Sequence, residues 1–280
     1  MIGSINNNSF ALQNQRLLRL NQLGQQRSLE RLATGRRINR GADDPAGLIA
    51  SESLSATLAA LEAEVISNER QQNIASTADA ALGEVSSLLT EARRLTVANA
   101  DGTLSDAERQ ANQAQIDSIV ASVDRVSNTT QFNGKKLLDG TLTLKVTGAS
   151  QAVTRVSSGT IGATTIDGEN VSLNDLKTGG DLAANSNRSE DSAAVVDQAI
   201  KDVAMLRAKV GAFQTNVLDT RINALRVATE NLSAARSIIR DTDYAAETAQ
   251  RFRVTFLAAA GVSTFRSAFQ SQRRILSLLG

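Results

Sequence analysis

The chain has 280 residues, of which 41% are hydrophobic and only 3% aromatic, and its formal net charge is +1. It contains no Cys and no His, which excludes a disulfide framework, a thiol nucleophile, Cys/His zinc sites and histidine acid–base catalysis. The near-neutral charge argues against nucleic acid and anionic membranes as partners, and no stretch approaches the about 18 apolar residues of a membrane span. We therefore expect no catalytic residues, no cofactor and no metal.

The first predicted helix runs from about Ser9 to Thr34, and Gly35 is placed to end it. A turn then extends from Ile38 to Gly47, where Pro45 also disfavours helix at the residue before it. The adjacent Asp43 and Asp44 could be a carboxylate pair for acid–base work or a metal, but their place before a helix favours turn and N-cap roles. Arg36, Arg37 and Arg40 have no interleaved aromatics, so neutralisation of nearby acids or contact between subunits is favoured over nucleic-acid binding.

A long helix follows, from about Leu48 to Asn99, with an apolar seam that begins at Leu54, Leu58, Leu61 and Val65. Farther along, polar Asn68 and Gln72 occupy the same phase, which weakens packing but can fix register. Ser105 and Glu108 form a capping box that opens a third helix, which is expected to end near Ser127.

The helical period is lost between Gly134 and Gly180. Residues Thr141 to Thr147 alternate and are rich in β-branched side chains, which predicts a strand and one or two short hairpins in this region. The region is too short to be an independent enzyme.

Helix resumes near Ser189 and is predicted to reach Asp241, with a one-residue shift of the apolar seam from Val217 to Leu218. Such a stutter is expected to alter the supercoil locally. The last helix runs from about Tyr244 towards Leu279. On a helical wheel its apolar residues form two faces, one with Val262, Phe265, Phe269 and Leu276 and the other with Phe252 and Phe256.

Neither half of the chain has enough apolar residues for a core of its own, so the two seams are best buried against each other. The predicted fold is mainly α, an elongated antiparallel helical bundle or coiled coil formed by the N- and C-terminal halves, with a small central β-hairpin region. One face of the last helix is expected to meet the first helix. The other face is expected to meet another copy of the chain.

Four stretches resemble the bacterial flagellins, the subunits of the flagellar filament. They are SLERLATGRRINRGADDPAGLIAS (28–51), DRVSNTTQFNGKKLLDG (124–140), ENLSAARSIIRDTDYAAE (230–247) and the closing ILSLLG (275–280). They occur in the family's order and at both ends of the chain. The resemblance implies a short form that lacks large outer domains.

The resemblance also implies a division into layers. Residues 1–42 would be the N-terminal helix of the innermost layer, called D0, and 43–140 the N-terminal helices of the next layer, D1. Residues 141–188 would be a β-hairpin and variable loop region, whose Ser and Thr could carry O-linked sugars. Residues 189–242 would be the C-terminal D1 helix and 243–280 the C-terminal D0 helix.

The function implied is a structural subunit that is exported by the flagellar type III apparatus, without a cleavable signal peptide, and polymerises outside the cell into the filament for motility. The expected partners are further copies of the chain, an export chaperone at the C-terminal helix, and cap and hook-associated junction proteins. The terminal segments are expected to be disordered in the monomer and to order on assembly. The predicted assembly interface comprises Phe10, Leu17, Leu20, Leu32, Arg36, Asp43, Asp44, Phe252, Phe256, Phe265, Phe269, Leu276 and Leu279.

The family's immune-receptor epitope corresponds to Leu88 to Ala98 of this chain. Leu95 matches the receptor-activating members, whereas Glu91 and Gln115 stand where those members commonly have Arg and Glu. Leu88, Glu91, Leu95 and Gln115 are therefore expected to form only a weak epitope for the Toll-like flagellin receptor.

Three other functions fit parts of the sequence less well. A hook–filament junction protein shares the terminal helices, but the stretch around Gln131 to Gly140 and the closing residues favour flagellin. A catalytic flagellin with an inserted hydrolase is disfavoured by the short centre and the lack of His. A free-standing helical adhesin would need an anchor or a signal peptide, which the sequence does not display.

Overall fold

The computed structural model describes residues 9–101, 103–183 and 188–279. Its long α-helices are α1 (Ser9–Thr34), α2 (Pro45–Asn99), α3 (Asp106–Thr129), α4 (Ser189–Phe213), α5 (Thr220–Arg240) and α6 (Tyr244–Leu279). The predicted order of helices is confirmed, and most predicted ends lie within a few residues of the observed ones. The chain is mainly α, with a few short antiparallel strand pairs, as expected.

The helix starts are set by the side chains that the sequence singled out. Ser105 and Glu108 form the predicted capping box at the start of α3. The Asp44 side chain accepts a hydrogen bond from the Gly47 N–H at 2.8 Å, and Pro45 occupies the first helical position. Helix α2 therefore begins at Pro45 and not at Leu48, because a proline there loses no hydrogen bond. Asp243 likewise caps α6 by accepting from the N–H groups of the second and third residues after it.

The central region contains three antiparallel strand pairs in the part of the chain that the structure describes. The first pair is β1 (Gln131–Phe132) with β2 (Lys135–Lys136), the second is β3 (Thr143–Val146) with β4 (Ala149–Ala152), and the third is β5 (Thr164–Ile166) with β6 (Glu169–Val171). The last two confirm the predicted hairpins, and β3 lies inside the predicted strand. The two-residue first pair and a short 3₁₀-helix at Leu173–Leu176 were not predicted.

The chain divides into two compact units. Unit 1 comprises residues 1–61 and 228–280, and unit 2 comprises residues 62–227. Each unit therefore combines a segment from the N-terminal half with one from the C-terminal half. The boundaries between the units lie within α2 and α5 and therefore do not coincide with the boundaries of the predicted layers. The layers stay a prediction.

In unit 2, α2 runs antiparallel to α4 and α5. Side-chain hydrogen bonds connect α2 to the other helices along their length. The donor and acceptor pairs are Arg93 to Asp197, Arg207 to Asp79, Gln214 to Ser76, Gln72 to Asp219, and Arg221 to Glu64. Because the numbers rise on α2 as they fall on α4 and α5, the two halves of the chain pair as predicted. The buried core extends from Ala75 to Leu218 and takes in α3 and the hairpins.

The predicted stutter has a local structural cause. Residues Gln214–Asp219, between α4 and α5, form a π-helix. This wider turn absorbs one extra residue, so the buried positions step from Phe213 to Leu218 and the 4,3 spacing then resumes at Ile222 and Leu225. The predicted one-residue shift of the seam is therefore accompanied by a change in helix type, and the predicted change in supercoil stays a prediction.

Candidate assembly interface

Helices α1 and α6 of unit 1 pack together along a seam of small and polar residues. A Cβ on Gly261 would come within 2.9 Å of Leu18, and one on Gly24 within 3.4 Å of Val254. Farther along, the Ser28 hydroxyl donates to the Glu247 carboxylate. Residue numbers rise along α1 as they fall along α6, so the two helices are antiparallel. The two glycines allow their backbones to come close together.

Unit 1 buries few apolar side chains. Among its described side chains, the buried hydrophobic residues are Ile38, Leu58 and Val254, whereas the large core cluster lies wholly in unit 2. Buried apolar area is the main favourable contribution to folding, so unit 1 gains little stability from its own packing.

The faces of α1 and α6 that point away from the seam are apolar and exposed. Phe252 is 77% exposed and Phe256 is 73% exposed, and both lie about 160° around α6 from Val254. Leu20 is 57% exposed on the side of α1 opposite Leu18. Further exposed hydrophobic side chains on these two helices include Leu12, Leu17, Leu23, Leu29, Tyr244, Leu257 and Val262.

The structure shows which face of α6 meets α1, which the helical wheel left open. Val262 is 41% exposed. The face in contact includes Val254 and Gly261, with Phe265 half-buried beside them. The helical wheel did not indicate this face because it was based on large apolar residues, whereas the seam uses a glycine that allows close approach.

The predicted interface residues on α1 differ in their exposure. Leu17 and Leu20 are exposed, as an interface requires, whereas Leu32 is half-buried. The side chains of Phe10, Phe269, Leu276 and Leu279 lie outside the described part of the structure. The interface as a whole stays a prediction.

The connectors between the helices are joined to each other. Arg36 and Asp241 form an isolated antiparallel β-bridge, and the Arg37 N–H donates to the Arg240 carbonyl at 2.7 Å. Thr242 N–H donates to the carbonyl of Gly35, whose φ of 70° suits glycine. The stretch around Arg36 thus ties the two strands of the connector together within one molecule.

The two acidic residues of the connector have internal partners. Asp43 accepts hydrogen bonds from the backbone N–H groups of Arg40 at 3.0 Å and Asn39 at 3.1 Å, while Asp44 caps α2. The two backbone donors hold the pKa of Asp43 below its ordinary value, and the charges of Arg31 and Arg27 lower it further. The predicted turn and N-cap roles are confirmed. Within the described residues, no group of three or more acidic side chains could hold a metal ion.

The residues of the predicted receptor epitope differ in exposure. Leu95 is only 1% exposed and belongs to the core of unit 2. Leu88 is half-buried, whereas Glu91 and Gln115 are exposed. Glu91 is held by Arg94 through two hydrogen bonds of 2.9 and 2.5 Å. Weak receptor activation stays a prediction.

Sequence reasoning missed the residues that join α1 to α6. Gly24, Ser28, Glu247, Val254 and Gly261 were not singled out, because small and polar residues give a weak periodic signal. A search for small residues at 3,4 spacing opposite the leucine face would have found part of this seam.

A helical chain that leaves large apolar faces uncovered has the build of a protein that assembles with others. Comparison with known proteins identifies the family. Residues 5–143 match the bacterial flagellin N-terminal helical region, and residues 193–279 match the bacterial flagellin C-terminal helical region. The flagellin of Bacillus subtilis (strain 168) is 34% identical over 98% of this chain and 99% of its own length. Flagellin FlaB2 of Treponema pallidum (strain Nichols) is 32% identical with the same coverage.

The chain therefore belongs to the bacterial flagellin family. It is a structural subunit of the flagellar filament and not an enzyme, and it polymerises with further copies of itself. None of the helices in the described residues is both long and apolar enough to cross a membrane.

The fold also occurs in solved structures of other proteins. A putative flagellar hook-associated protein from Vibrio parahaemolyticus superposes with a TM-score of 0.60, covering 71% of this chain and 99% of that one. Its sequence is only 17% identical, so the likeness concerns the fold and does not favour the junction-protein alternative.

Proposed function

We propose that the exposed apolar faces of α1 and α6 are the surfaces by which copies of this chain pack in the filament. The observation that carries this proposal is the contrast within unit 1, which buries very few of its described apolar side chains but exposes Phe252, Phe256 and Leu20. Neighbouring copies would cover these faces. Such contacts do not close on themselves, which generates a filament instead of a ring.

Assembly would also stabilise the terminal helices. The α1–α6 seam is short of apolar area, so these helices would be only marginally ordered in the free monomer and would gain order when neighbours bury their outer faces. The predicted D0 and D1 layers fit this arrangement, with the terminal helices innermost.

Export and accessory partners form the remaining part of the proposal. The chain would leave the cell through the flagellar type III apparatus, with a chaperone bound to the C-terminal helix before export. Cap and hook-associated junction proteins would contact the ends of the filament. A chaperone that covered the apolar face of α6 would prevent premature polymerisation.

Removal of residues 244–280 tests whether the C-terminal helix is needed. We expect a soluble monomer that retains the helical signal of unit 2, because unit 2 ends at Val227, before the removed segment. Sedimentation and electron microscopy after seeding should detect no filaments. Filaments of normal length from this truncation would contradict the proposal.

A double substitution tests the outer face itself. Burying one Phe side chain contributes about 1.5–3 kcal/mol. Phe252→Ala with Phe256→Ala should therefore raise the critical concentration for seeded polymerisation at least about tenfold. The helical circular dichroism should stay near that of the native protein, since both side chains are exposed. Met205→Ala, a change at an exposed apolar residue of unit 2, is the matched control.

A further inference from the structure

The charges of this chain are segregated between the two units. Unit 1 has fourteen basic and eight acidic residues, a net charge of +6, whereas unit 2 has sixteen basic and twenty-one acidic residues, a net charge of −5. All the basic residues of unit 1 are Arg, and every Lys of the chain lies in unit 2. Arginine is the cation that best pairs with carboxylates at interfaces, because its planar group can donate two parallel hydrogen bonds.

Part of this positive charge lines a pocket at the end of α1. The pocket has a volume of about 210 Å³ and lies where the connector returns past the helix. We call it the arginine pocket, and its lining residues are Arg27, Glu30, Arg31, Arg40, Ala42 and Asp43.

The acids of the arginine pocket are already engaged. Glu30 accepts from Arg40 at 3.2 and 3.1 Å, and Asp43 Oδ2 accepts from two backbone N–H groups. Arg31 reaches the Glu247 carboxylate only at 3.5 Å. Arg27 is exposed and makes no ion pair with any described residue. Arg31 and Arg40 each have a carboxylate partner, so Arg27 is the arginine of the pocket that can donate to a further carboxylate.

We propose that the arginine pocket binds a carboxylate side chain from unit 2 of a second copy of this chain. This inference rests on the proposed function, because it concerns a contact made during assembly. Unit 2 of another copy carries an excess of acidic side chains that can neutralise the positive charge of the arginine pocket. The apolar faces of α1 and α6 would drive assembly, and the arginine pocket would select the register between copies.

The test measures seeded polymerisation of the full chain between about 50 and about 500 mM NaCl, a range over which charge screening changes strongly. Arg27→Gln should raise the critical concentration at low salt about twofold to fivefold, the range typical of one exposed ion pair. It should also flatten the salt dependence. Arg27→Lys keeps the charge but loses the planar group, so its critical concentration should lie between those of the native chain and of Arg27→Gln. Circular dichroism verifies that each variant is as helical as the native chain.

Arg70→Gln is the matched control, since Arg70 is an exposed helical arginine of unit 2 that makes no ion pair with described residues. It removes the same charge from the acidic unit, so the critical concentration should not rise. Equal effects of the two glutamine variants, or a native critical concentration for Arg27→Gln at low salt, would overturn the inference. The variant with Phe252→Ala and Phe256→Ala separates the two proposals. If Arg27→Gln has no effect but the double Phe variant still raises the critical concentration, only the inference about the arginine pocket fails. If the double Phe variant polymerises like the native chain, the proposed function fails.

Discussion

At Gly47, in the first turn of α2, the backbone passes so close to its neighbours that a side chain does not fit. A Cβ there would clash with Asp44 Oδ2 and would lie 2.8 Å from Ile38 Cδ1. Asp44 is the cap of the helix, and Ile38 is one of the few buried apolar residues of unit 1. The glycine therefore allows the cap and the small core around the connector to coexist.

Gly47→Ala should destabilise the protein, although alanine normally favours helix. The intrinsic gain of about 0.5–1 kcal/mol is smaller than the combined loss of a cap and the strain on a buried side chain, about 2–4 kcal/mol together. We expect a net loss of about 1–3 kcal/mol in urea unfolding. Gly211→Ala in α4, where a Cβ would meet nothing within 4 Å, should instead stabilise the chain. Equal behaviour of the two variants would contradict this account.

Asp124 of α3 joins the helix to the central region. It accepts from the Ser158 N–H and hydroxyl, both at 2.7 Å, and from Lys177 at 3.4 Å. Burial raises the pKa of Asp124, but these bonds and the lysine charge outweigh it, so the pKa lies below its ordinary value. Because its pKa is lowered in the folded state, the ionised Asp124 stabilises the protein above about pH 4. This contribution is lost as the pH falls through the pKa of the folded state.

Asp124→Asn should therefore cost about 1–2 kcal/mol at pH 7, where the native carboxylate is ionised. The difference from the native chain should narrow as the pH falls towards 2 and the native group is protonated. Urea unfolding across this range measures both effects. Glu84→Gln, at an exposed carboxylate that makes no hydrogen bond to described residues, should leave the profile unchanged. A constant difference at every pH would rule out the charged state as the cause.

At the scale of the element, what the sequence could predict depended on how local the signal was. The capping box at Ser105 and the cap at Asp44 involve residues three apart, and both were predicted correctly. The seam of α1 with α6 depends on which residues meet across a large sequence separation. Its glycine at 261 and its hydroxyl at 28 gave no apolar signal, so the sequence predicted that these helices pair but not which faces meet.

The π-helix at Gln214–Asp219 offers a sharp test at this scale, because it contains one residue more than an α-helix with the same flanking registers. Deleting exposed Asn216 should convert the segment to α-helix and keep both seams in place, with little loss of thermal stability. Deleting exposed Ala208, within α4, should rotate the following seam by about 100° and destabilise unit 2 strongly. Thermal unfolding of the two deletions, compared side by side, checks this. Similar losses in both would contradict a local role for the wide turn.

For the whole molecule, the apolar core is distributed unevenly. Unit 2 encloses nearly all the buried apolar side chains that the structure describes, whereas unit 1 has a polar seam and exposed apolar outer faces. The sequence predicted that the two halves of the chain pair, since both seams have helical spacing. It could not predict where the core would be concentrated, because that depends on α3 and the hairpins packing against α2 and α4.

The central claim is that neighbouring copies bury the outer face of α6. The chain contains no Cys, so Phe252→Cys introduces a single thiol at an exposed position of that face. The rate at which this thiol reacts with a maleimide should fall at least about tenfold between the monomer and the seeded filament, since burial removes access. Asn170→Cys, on an exposed residue of the β5–β6 hairpin, should react rapidly in both states. An unchanged rate for the Phe252→Cys thiol in fully formed filaments would contradict the account.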